Sequence, residues 1–319
     1  MKKLALLLGA LSLVSSVAYA KEVVPAVEEV VVVEEAAPVA AAPALRVTSF
    51  GQEIEVDNTS GGSNIGEEVY FYNNVGLAYG DNWTFGLSAA KIWDMDTDDG
   101  IHSSDARLQI DVWNQTTDTL KLGFRYRGQK EFDRYYARYD WSNGVLWSAG
   151  DFWYQSNNTS SDKGRKLGTS DNLETEWFPI GLQYGPVKVG YFINAIKPLD
   201  SDYEEREDYI EHQIRAYATL YKGEKVTVSA EGRFTLTADD NYKKDEDGLK
   251  TPYVKYDDFG RNRVYLGVDY AVSENLNVYT KYGYEFRNWT CEDLAEGEEH
   301  DHDSDRYYGE FYLGWNYTF

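Results

Sequence analysis

The last twelve residues, Tyr308 to Phe319, read YGEFYLGWNYTF and decide the fold. One set of alternate positions is mostly bulky and apolar: Gly309, Phe311, Leu313, Trp315, Tyr317 and Phe319. The other set is mostly polar or small: Tyr308, Glu310, Tyr312, Gly314, Asn316 and Thr318. Successive side chains of a β-strand point to opposite faces. The segment therefore predicts a strand with one apolar and one polar face.

The same alternation recurs along the chain. It is clear in TLKLGFRYRG at 119–128 and in RNRVYLGVDYAV at 261–272. The chain has 27 tyrosines and 9 tryptophans but only 7 prolines. Tyrosine and tryptophan favour strands and also the boundary between water and lipid. The composition therefore favours an all-β protein with faces in two different solvents.

Alternating short and long connections separate the runs. The short turns are expected at 80–82, 116–118, 142–144, 184–186, 222–224 and 273–275. The longer connections are expected near 58–66, 94–104, 156–172, 198–206, 238–258 and 289–304, with a brief one near 128–131. The runs between them number about fourteen, and both ends of this region lie on the short-turn side. Outer-membrane barrels have an even number of strands, short periplasmic turns and longer outer loops.

The beginning of the chain predicts export. Residues 1–20, MKKLALLLGALSLVSSVAYA, have the charge, apolar run and small-residue end of a cleavable secretory signal. Residues 21–44 form a Val/Glu/Ala/Pro-rich segment, which we interpret as a flexible spacer, with a docking element for another envelope component as the alternative. Residues 45–319 are expected to form the barrel. Cys291 is the only cysteine, so the sequence predicts no internal disulfide framework.

These features predict a transmembrane, antiparallel, up-and-down β-barrel of about 14 strands. Water is absent from the hydrocarbon core, so strands cross it only when the sheet closes on itself. The apolar faces then contact lipid and the charged faces line the lumen. The net charge of −23 excludes the basic footprint of a nucleic-acid-binding protein.

Three segments resemble known porins. HDHDSDRYYGEFYLGWNYTF at 300–319, RNRVYLGVDY at 261–270 and the strand count resemble OmpG-type monomeric porins, and residues 1–26 look like the start of fusobacterial major outer-membrane porins. The resemblance implies a channel for small hydrophilic solutes. In OmpG-type proteins a pair of facing histidines is tied to pH gating. The histidines here, His102, His212, His300 and His302, do not fall on the corresponding strands, so that gating is not carried over.

Charged residues on the inward phase are the candidate pore lining. They are Arg107, Arg125, Arg127, Arg134, Arg138, Arg233, Arg261, Arg263, Asp111, Glu231, Asp269 and Glu310. Five of the arginines come from three consecutive strands and predict a basic patch on one wall. The patch is either a selectivity element that attracts anions or stacks sugars, or part of a lattice of ion pairs that supports the barrel.

Aromatic residues beside the short turns predict a lower girdle. They are Trp83, Phe85, Trp141, Trp147, Tyr184, Tyr270, Trp315, Tyr317 and Phe319. The strand phase is ambiguous in 145–184, where Pro179 requires a bulge or an unpaired amide.

The long loops are acidic and favour cations at the mouth. Divalent cations are expected partners of these loops. Asp94, Asp96, Asp98 and Asp105 have spacings like a calcium loop, but Asp99 stands where glycine is required, so a solvated loop is expected. His300 and His302 are interpreted as surface residues rather than a metal site.

Catalysis is not expected. His102, Ser103, Ser104 and Asp105 are adjacent and do not give triad geometry. His212 lies on the lipid-facing phase unless its strand is bulged.

The sequence therefore predicts an outer-membrane porin with no enzymatic activity, no cofactor and no dedicated metal site. Its expected partners are outer-membrane lipids, the barrel assembly machinery and small hydrophilic solutes such as ions and sugars. The alternatives are a surface adhesin that displays acidic loops on a barrel, and a secreted β-sandwich.

Overall fold

The structure is a computed structural model. It describes residues 44–58, 66–96, 100–158, 171–199, 206–242, 253–257, 259–293, 298–303 and 308–319. The predicted signal peptide and all of the predicted spacer except Ala44 lie outside the described residues. The described part forms one compact unit that begins at Ala44, and it contains no helix long and apolar enough to cross a bilayer.

Sixteen strands make up the described fold. They are β1 (Leu45–Asn58), β2 (Gly66–Tyr79), β3 (Trp83–Asp96), β4 (Gly100–Thr117), β5 (Leu120–Gly128), β6 (Phe132–Ser142), β7 (Leu146–Asn157), β8 (Asn172–Tyr184), β9 (Val187–Pro198), β10 (Arg206–Lys222), β11 (Val226–Tyr242), β12 (Tyr253–Asp257), β13 (Arg261–Ala271), β14 (Leu276–Asp293), β15 (Glu298–Asp303) and β16 (Tyr308–Thr318).

Fourteen of these strands close into a barrel. Each pairs antiparallel with its neighbours in the order β1 to β11, β13, β14 and β16, and β16 returns to β1. The closing seam joins Ser49 to Thr318 and Asn58 to Gly309. The predicted all-β, fourteen-stranded barrel is confirmed.

The two remaining strands extend the rim. β12 pairs with β11 and β14, and β15 pairs with β14. Three predicted long loops are therefore shorter than expected. β3 continues to Asp96, which pairs with Gly100 at the start of β4, β11 continues to Tyr242, and β14 continues to Asp293. Strand pairing beyond the membrane satisfies backbone groups that an open loop would leave to water. The acidic composition of these segments does not predict that pairing.

The outer face of the barrel is apolar. Its exposed side chains include Ile54, Leu87, Leu108, Leu122, Phe124, Phe152, Leu182, Val264, Leu266, Phe311 and Leu313. The alternate positions of the same strands carry buried charged residues. A lipid-facing arginine at mid-bilayer costs about 2–4 kcal/mol. A membrane barrel therefore requires apolar side chains outside and charged side chains inside, as observed here.

The prediction is wrong for one residue of the aromatic girdle, Trp147. Trp147 is only 3% exposed, and its indole covers Gly181 and Gly190, where added Cβ atoms would lie 2.0 and 2.5 Å from the ring. The Lys188 ammonium lies 3.8 Å from the centroid of the same ring. Trp147 therefore packs inside the barrel, because two glycines on neighbouring strands leave room for it there.

The predicted irregularity at Pro179 is present. The register of β8 against β9 shifts between Trp177 and Ile180. In this irregular stretch the Phe178 carbonyl accepts a hydrogen bond of 2.8 Å from Ser148 Oγ. Ser148 in turn contacts the Tyr139 hydroxyl at 2.7 Å. Ser148 therefore supplies a side-chain donor beside Pro179, which has no N–H group to contribute to the ladder.

Candidate functional site in the barrel lumen

The inner face collects the residues that were predicted to line the pore. Arg107, Arg125, Arg127, Arg134, Arg138, Arg233, Arg261, Arg263, Asp111, Glu231 and Glu310 are buried there, and Asp269 is half-buried. These side chains cover one another, so the lumen wall at their level is a packed polar layer.

Asp111 on β4 is the centre of the basic patch. Its Oδ1 accepts hydrogen bonds of 2.6 Å from Arg125 Nε and 2.6 Å from Arg138 Nη1. Asp151 on β7 adds a second contact, 2.8 Å from Arg138 Nε. Charge-assisted bonds of this kind are among the strong hydrogen bonds in proteins. Arg125 and Arg138 therefore belong to an ion-pair lattice that spans β4 to β7.

The other arginines of the patch bind uncharged groups as well. Arg127 Nη2 donates to Gln109 Oε1 at 2.7 Å, and Arg134 Nε donates to Gln155 Oε1 at 2.6 Å. Arg107 Nη1 donates to the Tyr72 hydroxyl at 2.7 Å. An amide or phenol orients a guanidinium but does not neutralise it.

A second lattice lies on β10, β13, β14 and β16. Arg263 lies 2.5 Å from Glu285 and 2.9 Å from Glu310. Arg261 contacts Glu285 at 3.2 Å and Glu211 at 3.5 Å. Both signs of charge are buried together here, and breaking one such pair leaves an uncompensated charge.

The seam strand β1 carries an acidic wall on its inner face, formed by Glu53, Glu55 and Asp57. Glu53 accepts a bond of 2.7 Å from the Tyr279 hydroxyl, and Glu55 accepts one of 3.1 Å from the Tyr312 hydroxyl. Asp57 lies opposite Glu310 on β16 in the strand register and is 1% exposed. The regular alternation of acids along β1 is the signal that identifies this wall in the sequence.

Charge is nearly balanced among the buried residues of the inner face. The described part of the barrel buries nine arginines and eight carboxylates: Arg107, Arg125, Arg127, Arg134, Arg138, Arg215, Arg233, Arg261, Arg263, Glu53, Glu55, Asp57, Asp111, Glu211, Glu231, Glu285 and Glu310. The chain as a whole carries −23. The acidic excess therefore lies outside this buried layer.

Aromatic rings also face the lumen. The Arg107 guanidinium lies 4.5 Å from the Tyr70 ring centroid, and the Arg138 guanidinium lies 4.5 Å from the Trp113 centroid. Such contacts hold an arginine against the wall with its planar face covered. The role of Tyr70 and Trp113 as supports for arginines depends on residues from neighbouring strands.

The acidic calcium-like segment has a different geometry from a calcium loop. Asp94 lies on β3 and Asp105 on β4, whereas Asp98 lies outside the described residues. Asp105 Oδ1 accepts the backbone N–H groups of Ala106 and Lys130. Among the described residues, no group of three or more His, Cys, Asp or Glu side chains is arranged to hold a metal ion.

The histidines lie at separate places. His102 is on β4 opposite Asp94, and not in a loop as predicted. His212 is on the outer face as expected from its phase, and its Nδ1 lies 2.7 Å from the Tyr191 hydroxyl. His300 and His302 lie on β15, and their side chains are outside the description.

Polar groups on the outer face bind one another. Gln52 donates to Asn73 at 2.9 Å on the outer side of β1 and β2, in the same way as His212 pairs with Tyr191. The hydrocarbon core offers no water to such groups, and internal pairing therefore keeps them compatible with lipid.

No family model matches the chain, and no curated protein matches it in sequence. Solved structures of outer-membrane proteins are similar to it in shape. The chain is 14% identical to in-vitro folded OmpT of Vibrio cholerae, with 89% of this chain and 100% of that chain covered and a TM-score of 0.45. It is 11% identical to an anion-selective porin of Comamonas acidovorans, with 86% and 100% covered and a TM-score of 0.40. It is 11% identical to OccK3 of Pseudomonas aeruginosa, with 86% and 95% covered and a TM-score of 0.40.

Similarity at this level does not identify a solute or an activity, and the likeness to OmpG-type and fusobacterial porins stays a prediction. The barrel itself supports the class. A closed antiparallel sheet of even strand number, apolar outside and charged inside, is the architecture of bacterial outer-membrane proteins.

Proposed function

We propose that the chain is an outer-membrane porin, a passive water-filled channel for small hydrophilic solutes such as ions and sugars. The observation that supports this most directly is the placement of charge. Strand after strand turns its charged side chains inward and its apolar side chains outward. A barrel that served only as an anchor would not need so many ionic groups in its interior.

The expected passage is narrow. Fourteen strands lie between barrels filled by side chains and the sixteen- to eighteen-stranded porins that hold a wide channel. Arg125, Arg138 and Asp111 are buried, and their mutual packing reduces the free cross-section further. We therefore expect low conductance and exclusion of large solutes.

The proposed porin has three kinds of partner besides its solutes. Outer-membrane lipids surround the apolar face, the barrel assembly machinery inserts the chain, and divalent cations bind at the acidic loops. The adhesin alternative depends on those loops, most of which lie outside the described residues.

Single-channel recording tests the function. Signal-free protein, residues 21–319, is refolded in detergent and added to planar bilayers. Discrete, steady conductance steps are expected, with a current that rises linearly at low voltage. Protein that shows the heat-sensitive gel migration of a folded barrel but gives no steps would refute the channel.

A further inference from the structure

Two buried arginines face each other on neighbouring strands. Arg215 on β10 and Arg233 on β11 are partners in the strand register, and each is 4% exposed on the inner face. Side chains directly opposite each other in an antiparallel pair have Cβ atoms about 5 Å apart, and like charges there repel. The pair therefore places two like charges on adjacent strands of the lumen wall.

Each guanidinium has one donor without an acceptor. Arg215 Nε donates to Gln213 Oε1 at 2.7 Å, but Arg215 Nη1 has no hydrogen-bond partner. Arg233 Nε donates to Glu231 Oε1 at 2.6 Å, but Arg233 Nη2 has none. Buried polar groups in native proteins are nearly always paired, so two orphan donors on adjacent cations indicate a missing anionic partner.

The nearby carboxylates do not supply it. Glu231 is shared with Lys281, whose Nζ lies 2.7 Å from Glu231 Oε2, so two cations already use one carboxylate. Glu176 on β8 interacts electrostatically with both Arg215 and Arg233, yet its buried Oε2 has no hydrogen-bond partner. Arg125 and Arg138, unlike Arg215, each contact a carboxylate oxygen directly.

We propose that Arg215, Arg233 and Glu176 bind the zwitterionic head of an α-amino acid. Its carboxylate accepts from Arg215 Nη1 and Arg233 Nη2, and its ammonium group donates to Glu176 Oε2. Guanidinium groups match carboxylates in planar geometry, and an ammonium group has three donors for a carboxylate. One ligand thereby satisfies three orphan atoms of both signs.

The aromatic wall holds the arginine in place. The Arg215 guanidinium lies 3.3 Å from the centroid of Phe192, which is fully buried. The stack fixes the plane of the guanidinium. The proposed site requires the Glu176 and Arg233 side chains to rotate so that the head group can enter. This inference names a solute class for the proposed channel and rests on that function, but binding is measurable without current.

Equilibrium binding tests the site. The refolded full barrel in detergent is titrated with ¹³C-glycine and, separately, with ¹³C-acetate, and binding is followed by ligand-observed NMR. We expect glycine to bind at least about tenfold more tightly than acetate, since a tenfold ratio corresponds to about 1.4 kcal/mol, which one added ionic contact supplies.

The variants separate the two ends of the ligand. The double variant R215Q/R233Q should lose binding of both probes about tenfold or more, and Glu176→Gln should remove the preference for glycine while acetate binding stays. R215K/R233K keeps both positive charges but lacks the planar guanidinium donors. It replaces the glutamine variant in this test if that variant does not fold. Lys197→Gln is the matched control, because Lys197 is exposed and pairs with Asp208 at 3.6 Å away from this site.

Two results would overturn the inference. If glycine and acetate bind with equal affinity, and Glu176→Gln changes neither affinity, the site recognises only the carboxylate of the ligand. No binding of glycine by the wild-type barrel would show that Arg215 and Glu176 simply pair with each other. Conductance steps in bilayers together with either result would leave the porin intact and remove only the solute class.

Discussion

Asp111 shows what one buried carboxylate does in this barrel. A single oxygen, Oδ1, lies 2.6 Å from nitrogens of both Arg125 and Arg138. The three side chains come from three consecutive strands, β4, β5 and β6. An interaction of this kind ties the strands together at the level of side chains, in addition to the backbone ladder.

Removing this carboxylate should be costly. In Asp111→Asn, two buried guanidinium groups lose their shared negative partner, and loss of one member of a buried ion pair destabilises a protein by about 3–5 kcal/mol. We expect a loss of that order in the free energy of unfolding, measured by urea titration with tryptophan fluorescence in lipid vesicles.

Asp208→Asn is the matched control for this change. Asp208 is 46% exposed at its side chain and pairs with Lys197 at 3.6 Å, and an exposed pair contributes about 0–1 kcal/mol. Equal losses in the two variants would contradict the assignment of Asp111 to a buried lattice.

Adjacent strands fit together through aromatic rings that cover glycines. A Cβ at Gly283 on β14 would lie 2.2 Å from the Tyr265 ring on β13, and a Cβ at Gly123 on β5 would lie 2.5 Å from the Trp113 ring on β4. A ring over a glycine fills the space that the glycine leaves on the pleated surface. The sequence alternation places both residues on one face, but it does not show which ring covers which glycine.

Gly283→Ala tests this fit at the level of the strand pair. The new methyl group forces the Tyr265 ring away and disturbs its hydrogen bond of 2.8 Å to Glu310. Overpacking of this kind costs about 1–3 kcal/mol, and we expect a corresponding drop in the urea midpoint. Gly86→Ala is the control, because a Cβ there meets its nearest atom at 3.4 Å. A drop in Gly86→Ala as large as that in Gly283→Ala would argue against the ring fit.

The irregularity in β8 predicts that Ser148 contributes to stability. In Ser148→Ala, the Phe178 carbonyl loses its 2.8 Å hydrogen bond on the lipid side of the barrel. An unsatisfied buried polar group costs about 1–3 kcal/mol, so we expect the thermal unfolding temperature in detergent to fall. Ser88→Ala on the inner face of β3 is the comparison and should change it little. An unaltered unfolding temperature in Ser148→Ala would mean that the carbonyl finds another donor.

Sequence periodicity predicted the elements well where the alternation is strict. The phases of β5, β13 and β16 follow directly from their residues, and the strand count is confirmed. Trp147 was misplaced because its side depends on Gly181 and Gly190, which lie on other strands. The two rim strands were missed because β12 has only five residues and because β15 is acidic, with no alternation of apolar and polar residues.

Partner choice within the lumen is the part that sequence does not provide. Phase predicted that Arg125 and Arg233 point inward, and the structure places both there. Only the register and the neighbouring strands show that Arg125 reaches Asp111 while one donor of Arg233 has no acceptor. Pairing is a three-dimensional property of several strands, whereas alternation is a property of one.

At the scale of the whole molecule, charge is sorted by position. The buried inner layer is nearly neutral, and the chain as a whole carries −23. Potentials from surface charges are screened within about 10 Å at 0.1 M salt and about 3 Å at 1 M. The acidic mouth should therefore affect permeation mainly at low ionic strength.

Ion selectivity should consequently depend on salt. With a tenfold potassium chloride gradient, we expect reversal potentials that indicate cation preference when the dilute side is about 0.01 M, and a weaker preference when it is about 0.1 M. Planar-bilayer recordings at both ionic strengths provide the measurement. Strong anion preference at low salt would mean that the inner arginines, and not the mouth, control entry.

The central claim is that one face of every barrel strand touches lipid and the other faces the lumen. Single cysteines introduced into a Cys291→Ser background test it directly, at the adjacent pairs Leu87/Ser88 on β3 and Val228/Ser229 on β11. The protein is reconstituted in vesicles and exposed to a thiol reagent confined to the hydrocarbon core. We predict modification at positions 87 and 228 and protection at 88 and 229; the reverse pattern, or equal modification of both members of a pair, would contradict the account.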